Sequence, residues 1–445
     1  MEKLLIFDSA EEVRFGKVLK FIIPTYLTSL FNTVYTIVDG IFVSSYVGTN
    51  ALAAINIVYP IVNVLTGIAL AFATGGSAIA ALQIGGKRKE EARKTFTVCM
   101  VSATLFGCIV SDVVGMKLYD ILGMLGATPV TMNDCKVYAL WWLIGTPVVI
   151  GKELLTYFIR VDGSPGDSFF TALFGGVLNL VLDYVFVGRL KMGSLGAALA
   201  TILGLFGSFF MGIYYIVKLK NVLSIVLKGL SIKNGFRCAV NGSSEFINQL
   251  AIAITTIFFN RIAMEFSGED GIAAVSIIMY LQFLFIGVYF GFSMGIASPL
   301  GYVYGEGKMD VCGALERYAR RFFGIAPFLI YGVTFLGAPF GVSFFAEQGS
   351  SVYALAVTGM RIYGLGFLFS GINIFSAIRM MTYGKGYFSG IITFLRSFAL
   401  LLFFLILLPK LMGMTGIWLA VPLAECLTLT VSLTSLRRDR IVSMK

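Results

Sequence analysis

Long apolar runs separated by short polar loops make up most of the chain between residues 19 and 436. A helix needs about 20 such residues to cross the hydrocarbon core of a bilayer. The pattern therefore predicts an all-α integral membrane protein with twelve transmembrane helices. The predicted spans are 19–46, 52–84, 95–115, 137–159, 168–188, 194–217, 238–264, 271–304, 320–345, 352–378, 387–409 and 414–436.

Composition agrees with a lipid environment and excludes several classes of function. Of the 445 residues, 58% are hydrophobic and 13% are charged, and this is too apolar for a soluble domain. The chain has six cysteines without a CxxC pair and no histidine, so we expect no zinc or haem site and no cofactor. The net charge of +10 is spread over many loops, which argues against nucleic acid as a partner.

Basic residues alternate between the two predicted sides of the membrane. They are frequent at both termini, in the loops after the second and eighth spans, and between the sixth and seventh spans. Because cytoplasmic loops are rich in Lys and Arg, this pattern predicts that both termini are cytoplasmic. We expect a multi-pass protein of the cell membrane, surrounded by lipid and acting as a monomer.

The second half of the chain repeats the first half at one constant offset. The segment 48–54 aligns with the segment 268–274, an offset of 220 residues (268 − 48). The same offset pairs Gly67 with Gly287, Gly75 with Gly295, Gly85 with Gly305, Gly151 with Gly371 and Gly196 with Gly416. Two similar bundles can rock about a central cleft and expose it to either side in turn, which is typical of transporters.

We therefore predict two pseudo-symmetric six-helix bundles related by an axis along the membrane normal. Residues 1–218 form the predicted N-lobe with helices 1–6, and residues 237–445 form the predicted C-lobe with helices 7–12. Residues 219–236 form the predicted cytoplasmic linker between them.

Polar side chains recur at helical spacing inside the spans of the first half. They are Asn32, Tyr35 and Asp39 in the first span, Asn179 and Asp183 in the fifth, and Thr201 in the sixth. With a helical rise of about 1.5 Å per residue, Asp39, Asp183 and Thr201 reach similar depths in the outer half of the bundle. A carboxylate at that depth must be paired, ion-bound or protonated, because desolvation costs several kcal/mol.

Two aspartates close together raise the proton affinity of at least one of them. Binding of H⁺, or of Na⁺ through carboxylate, Asn and Thr oxygens, would relieve their repulsion. The pattern therefore predicts a coupling site for H⁺ or Na⁺. The alternative is that these aspartates only hold helices together.

Other charged residues also fall within predicted spans. Lys152 and Glu153 are adjacent and point in different directions along a helix, so we expect that they do not simply neutralise each other and that Glu153 faces the polar cluster. Arg396 and Glu425 are expected to form a structural ion pair. Glu245 is expected to be partly wet near the cytoplasmic end of its span.

Several segments resemble the multidrug and toxic compound extrusion (MATE) transporters, and the similarity covers nearly the whole chain. The segments are the first span with Pro24 and Val38-Asp39-Gly40, the Gly-rich end of the second span before Gly86-Lys87, and Asn179-Leu-Val-Leu-Asp183 before Gly193-Ser-Leu-Gly196. The resemblance implies V-shaped lobes, alternating access, and efflux of small organic cations or lipophilic drugs driven by H⁺ or Na⁺.

The resemblance also implies the members of the cation site. Asp39, Asn179, Asp183 and Thr201 would form it in the N-lobe, with Tyr138 and Glu153 as neighbours, and no metal is expected other than Na⁺ at these four residues. The polar stripe of the first span adds Asn32 and Tyr35 as further neighbours. The second half lacks the acidic residues that some branches use in the C-lobe, so the chain is more similar to bacterial branches that rely on the N-lobe.

Two other functions compete with drug export. A lipid-linked precursor flippase of the same superfamily would be expected to have a more strongly cationic cavity, whereas the intramembrane charges of the first half are mainly acidic. An intramembrane enzyme would need catalytic groups, and the sequence offers no histidine and no paired catalytic motif in a large loop. We therefore expect a transporter, not an enzyme.

Overall fold

The computed structural model describes residues 9–14, 16–20, 22–31, 49–219 and 222–443, which are almost entirely helical and contain no strand. This confirms the all-α prediction. The helices are α1 (Ile22–Phe31), α2 (Thr49–Gly85), α3 (Lys89–Met116), α4 (Leu118–Met124), α5 (Met132–Ile144), α6 (Thr146–Val161), α7 (Pro165–Asp183), α8 (Gly193–Lys218), α9 (Ile232–Asn241), α10 (Ser243–Gly305), α11 (Met309–Ser343), α12 (Ser351–Tyr363), α13 (Phe367–Thr382), α14 (Gly386–Phe394), α15 (Leu400–Met412) and α16 (Met414–Ser443).

The described helices account for eleven of the twelve predicted spans and for part of the first. In the described ranges, nine continuous helical stretches are long and apolar enough to cross a membrane, and α5 with α6 forms a tenth that bends by 53°. The 63 residues of α10 make two of the spans, because the backbone at Ser267 and Gly268 is not helical and a single helix of this length would be about 95 Å long. Helix α1 is the described part of the first span.

The two halves of the molecule meet in contacts that follow the 220-residue offset. An added Cβ at Gly85 would lie 2.0 Å from the carbonyl oxygen of Tyr302. In the equivalent contact, an added Cβ at Gly305 would lie 2.2 Å from the carbonyl oxygen of Leu82. Only glycine allows backbones to approach so closely.

A second symmetric pair of contacts lies about 15 Å deeper along the same helices. An added Cβ at Gly75 would lie 2.3 Å from the backbone nitrogen of Gly242, and one at Gly295 would lie 2.7 Å from the Cα atom of Ile22. The halves are therefore in tight contact at the end of the molecule that bears the loops 86–88 and 306–308, here called the basic end. The lobe boundaries themselves stay a prediction.

The segment between the halves is fastened to the first half. The buried carboxylate of Asp162 accepts hydrogen bonds from the backbone nitrogens of Val222 and Leu223 at 2.8 and 2.9 Å. Four residues further on, the backbone nitrogen of Val226 donates to Oγ1 of Thr97 at 3.0 Å. Helix α9 then begins inside the predicted linker, so less of this segment is irregular than the sequence suggested.

The contact between the halves predicts that an added methyl group lowers the melting temperature at Gly75 but not at a glycine with open space around it. Gly75→Ala should lower the melting temperature of the purified protein by several degrees, because the added methyl group meets backbone atoms and such overpacking costs about 1–3 kcal/mol. Gly332→Ala is the matched control, since nothing lies within 4 Å of an added Cβ there. Equal melting temperatures for the two variants would show that the contact is not tight.

Candidate cation site

Two small residues bring α7 and α8 together along the polar face of the first half. An added Cβ at Gly175 would lie 1.9 Å from Oγ of Ser208, and one at Gly204 would lie 2.5 Å from Cβ of Asn179. The contacts move toward the start of α8 as α7 proceeds, so the helices are antiparallel. The side chain of Asn179 is therefore pressed against the backbone of α8.

Asn179 lies beside Gly204, and the antiparallel register extended by one helical turn brings Asp183 to about the level of Ala200 and Thr201. Asn179 and Asp183 are both 1% exposed. Neither polar atom of the Asn179 amide makes a hydrogen bond to a described residue, and a buried polar group without partners calls for an explanation such as an ion.

The oxygens of this cluster are suited to a small cation. The hydroxyl group of Thr201 donates to the carbonyl oxygen of Ala197 at 2.9 Å, so its lone pairs stay free to accept. Carboxylate, amide and hydroxyl oxygens are the ligands that hard cations prefer. The cluster offers one of each, from Asp183, Asn179 and Thr201.

A change of helical geometry follows the candidate carboxylate directly. Helix α7 ends at Asp183, and the next turn, Tyr184–Arg189, is π-helical. Such turns occur frequently at functional sites, because they redirect side chains and loosen the regular hydrogen bonding of the helix. Asp183 lies about 9 Å from the end of this span at Arg189.

The remaining predicted members of the site have different outcomes. Tyr138 is 6% exposed and belongs to the same core cluster as Val187 and Ala197, so it lies on the side of the molecule where α7 ends and α8 begins. Asn32, Tyr35 and Asp39 lie outside the described residues. Their membership of the site stays a prediction.

The nearest described part of the first span approaches α7 below the site. An added Cβ at Gly176 would lie 2.5 Å from the ring of Phe31. In the sequence, Asp39 follows Phe31 by eight positions, and Asp183 follows Gly176 by seven.

Glu153 lies far from this cluster, contrary to the prediction. Helix α6 runs parallel to α8, and an added Cβ at Gly151 would lie 2.3 Å from the ring of Phe209. The part of α8 that is level with Glu153 therefore lies about ten residues beyond the part that is level with Asp183. The depths of Glu153 and Asp183 in the molecule differ by about 15 Å.

Glu153 is also paired, which corrects a second expectation. Its Oε1 atom accepts from Nζ of Lys152 at 2.8 Å, and the two side chains are 16% and 12% exposed. Adjacent helical positions point in different directions, but the flexible stem of lysine is long enough to bring its charge around the helix. The prediction that these two residues do not neutralise each other was wrong.

Buried charges in the second half form compact groups. Nε of Arg396 donates to Oε1 of Glu425 at 3.0 Å and Nη2 donates to the same atom at 2.6 Å, which confirms the predicted ion pair. The amide of Asn373 donates to Oε2 of Glu425 at 2.7 Å, a partner that the sequence did not reveal. Glu245 is 8% exposed, so the expectation that it is partly wet was wrong.

A second buried ion pair was missed in the sequence. Nε of Arg379 donates to Oε1 of Glu316, and the hydroxyl group of Tyr383 donates to the same oxygen at 2.8 Å. The predicted span began at residue 320, whereas α11 begins at Met309 and carries Glu316 into the protein interior. Extending the predicted helix across the polar residues before position 320 would have placed Glu316 within the span and revealed the pair.

Apolar spans in two halves, with glycine contacts repeated by symmetry and a buried polar cluster in one half, are typical of a membrane transporter. Comparison with known proteins places the chain within that class. Residues 24–185 match the family model MatE. Over these residues the chain is similar to the MATE family of transporters, which are not enzymes.

Relatives and solved structures cover almost the full chain. The multidrug export protein MepA of Staphylococcus aureus (strain MSSA476) is 22% identical over 450 residues, which cover 99% of this chain and 97% of MepA. A crystal structure of MATE in complex with MaL6 matches with a TM-score of 0.91 over 98% of each chain at 21% identity. An outward-facing conformation of a multidrug resistance MATE family transporter matches with a TM-score of 0.89 over 96% of each chain, also at 21% identity.

The buried ion pair predicts a large effect of removing one charge. Glu425→Gln should lower the free energy of unfolding by about 3 kcal/mol, because it leaves the guanidinium of Arg396 buried without a counter-charge. Replacing both residues together, with Arg396→Met and Glu425→Leu, should cost less. The exposed residue Glu347 provides the control variant Glu347→Gln, and thermal unfolding of each purified variant gives the comparison. The pairing would be contradicted if the loss of unfolding free energy in the double variant equalled the sum of the losses caused by the two substitutions made singly.

Proposed function

We propose that this chain exports drugs or other small organic compounds from the cytoplasm across the cell membrane, in exchange for H⁺ or Na⁺. The observation that carries the proposal is the similarity to a multidrug export protein over 99% of the chain. The substrates are small organic cations or lipophilic drugs. The 40 Phe, 20 Tyr and 17 Met residues supply surfaces suited to flat lipophilic cations.

Transport requires the two halves to rock against each other. The contacts of Gly75, Gly85, Gly295 and Gly305 hold the halves together at the basic end, which the charge pattern predicts to be cytoplasmic with both chain termini. Opening to the cytoplasm must break these contacts, and release outside must restore them. The matched contacts in the two halves support a motion of this kind, because both states can use similar packing.

The cation site supplies the coupling. A charged carboxylate at the position of Asp183 is costly in a low-dielectric interior, and binding of H⁺ or Na⁺ removes most of that cost. The sequence adds Asp39 as the second acid. One charge crossing 100 mV provides about 2.3 kcal/mol, enough to bias a substrate distribution by a factor of roughly 50.

The coupling role predicts the effect of neutral variants. Asp183→Asn and Asp39→Asn should each abolish drug resistance in cells that depend on this transporter, because the amide cannot be protonated or neutralise a cation. Expression at the membrane should be unchanged. Asp120→Asn is the control, since Asp120 is exposed, and it should keep full resistance. Near-normal resistance in Asp183→Asn would remove this residue from the coupling site.

The choice of ion is tested with inverted membrane vesicles. A pH gradient and a sodium gradient are imposed separately; a fluorescent cationic drug should accumulate inside with one of them, and the Asp183→Asn variant should respond to neither. The gradient that drives accumulation identifies the coupling ion. Accumulation that persists without any ion gradient or membrane potential would contradict antiport.

A further inference from the structure

A cavity lies between the two halves near the basic end, remote from the candidate cation site. Helices α2, α6, α10 and α13 contribute its walls. Its opposite walls are related by the 220-residue offset, in the pairs Thr74 with Met294, Ser77 with Ala297, Ala78 with Ser298, and Val161 with Met381. The cavity therefore lies on the pseudo-symmetry axis, and both halves are needed to form it.

One wall of this cavity carries a buried arginine. Arg160 is 6% exposed, and its guanidinium lies 4.9 Å from the centre of the Tyr157 ring. Its Nε atom makes no hydrogen bond to any part of the chain that the structure describes, and no carboxylate there lies within the 4.0 Å of an ion pair. Arginine stays protonated in proteins, so this site carries a full positive charge in the interior.

Five residues with hydroxyl groups line the same cavity as Arg160, but those of Thr74, Ser77 and Thr382 donate to carbonyl oxygens of their own helices, which leaves the hydroxyl groups of Tyr157 and Ser298. Tyr157 lies one turn before Arg160 on α6, and Ser298 lies across the cavity on α10. Neither hydroxyl donates a hydrogen bond to another described residue. The cavity thus offers a cation and two neutral donors to whatever occupies it.

The second half shows how a buried arginine is normally satisfied here. Arg379 is one position from the repeat equivalent of Arg160 and is paired with Glu316. The repeat equivalent of Glu316 in the first half is Phe96 (316 − 220), which is 1% exposed and packs on Phe158. The first half has therefore kept the arginine and has an aromatic ring where the counter-charge would be.

The acidic residues near Arg160 along its own helix have other partners. Glu153 is paired with Lys152, and Asp162 accepts from the backbone nitrogens of Val222 and Leu223. A buried charge without a partner is costly enough that a counter-ion is expected.

We propose that the cavity binds an oxyanion, either a carboxylate or a phosphate group, with the guanidinium of Arg160 as its main partner and the hydroxyl groups of Tyr157 and Ser298 as further donors. Guanidinium groups bind such oxygens through paired, charge-assisted hydrogen bonds. Because Arg160 and Ser298 belong to different halves, the bound anion stabilises the state in which the halves meet at the basic end. This last consequence rests on the rocking motion proposed above, but the binding itself does not.

The proposal is tested by thermal unfolding of the purified full-length protein in detergent. Sodium phosphate should raise the melting temperature by about 3 °C relative to sodium chloride, since a ligand of the folded state stabilises it. Sodium concentration and pH are held constant, so that the candidate cation site contributes equally. Arg160→Gln should lose this shift, and Arg160→Lys should keep part of it. The control Arg317→Gln, at an exposed position on the same end, should keep all of it.

The same variants distinguish the two sources of the oxyanion. Protein in lipid nanodiscs without free phosphate is compared between phosphatidylcholine alone and a mixture with phosphatidylglycerol. Stabilisation by the anionic lipid that depends on Arg160 identifies a lipid phosphate, whereas a shift that depends on Arg160 only with free phosphate identifies a soluble anion. An equal shift in Arg160→Gln, or no shift in the unaltered protein under either condition, overturns the proposal.

Two further measurements keep the outcome decisive. If Arg160→Gln does not fold, isothermal titration of the unaltered protein with inorganic phosphate replaces it, and an absence of binding overturns the proposal. Loss of drug export with an intact phosphate shift would remove the proposed function and leave the oxyanion site standing.

Discussion

The organisation of this molecule follows from the cost of placing charge in an interior that lipid surrounds. Most buried charges are neutralised locally, by Arg396 with Glu425, Arg379 with Glu316, and Lys152 with Glu153. These pairs are structural, because each is satisfied within one half of the chain. Both polar atoms of the Asn179 amide and Nε of Arg160 are among the buried atoms that the described residues leave without a hydrogen-bond partner, and at these two places a mobile ion has something to gain by binding.

The frame of the molecule could be predicted from the sequence, because lipid imposes a length and an apolar character on every span. The 220-residue offset was also visible, since close backbone contacts require glycine at Gly85 and Gly305 alike. The ion pair between Arg396 and Glu425 could be predicted because opposite charges occurred in neighbouring spans. The depth of Glu153 could not, because it depends on the register between α6 and α8, which packing decides and no local pattern encodes.

The repeat is closer in the backbone than in the side chains. The glycine contacts at the basic end recur in both halves, but the repeat equivalent of the buried Asp183 is Phe403, which is 56% exposed (403 − 183 = 220). The equivalent of Asp39 is Phe259, which is 1% exposed. The two halves therefore share a similar backbone but carry different polar side chains, so that a symmetric motion can be controlled by the residues of one half. Sequence repeats of this kind report the path of the backbone more faithfully than the location of the site.

The attachment of the connecting segment to the first half limits how far the halves can separate at that end. Asp162 and Thr97 hold the backbone as far as Val226, and α9 begins at Ile232. Six virtual bonds join these two residues and span about 20 Å when fully extended. The segment is thus a tether of fixed maximum length, and it sets an upper bound on the width of any opening beside it while its anchors hold.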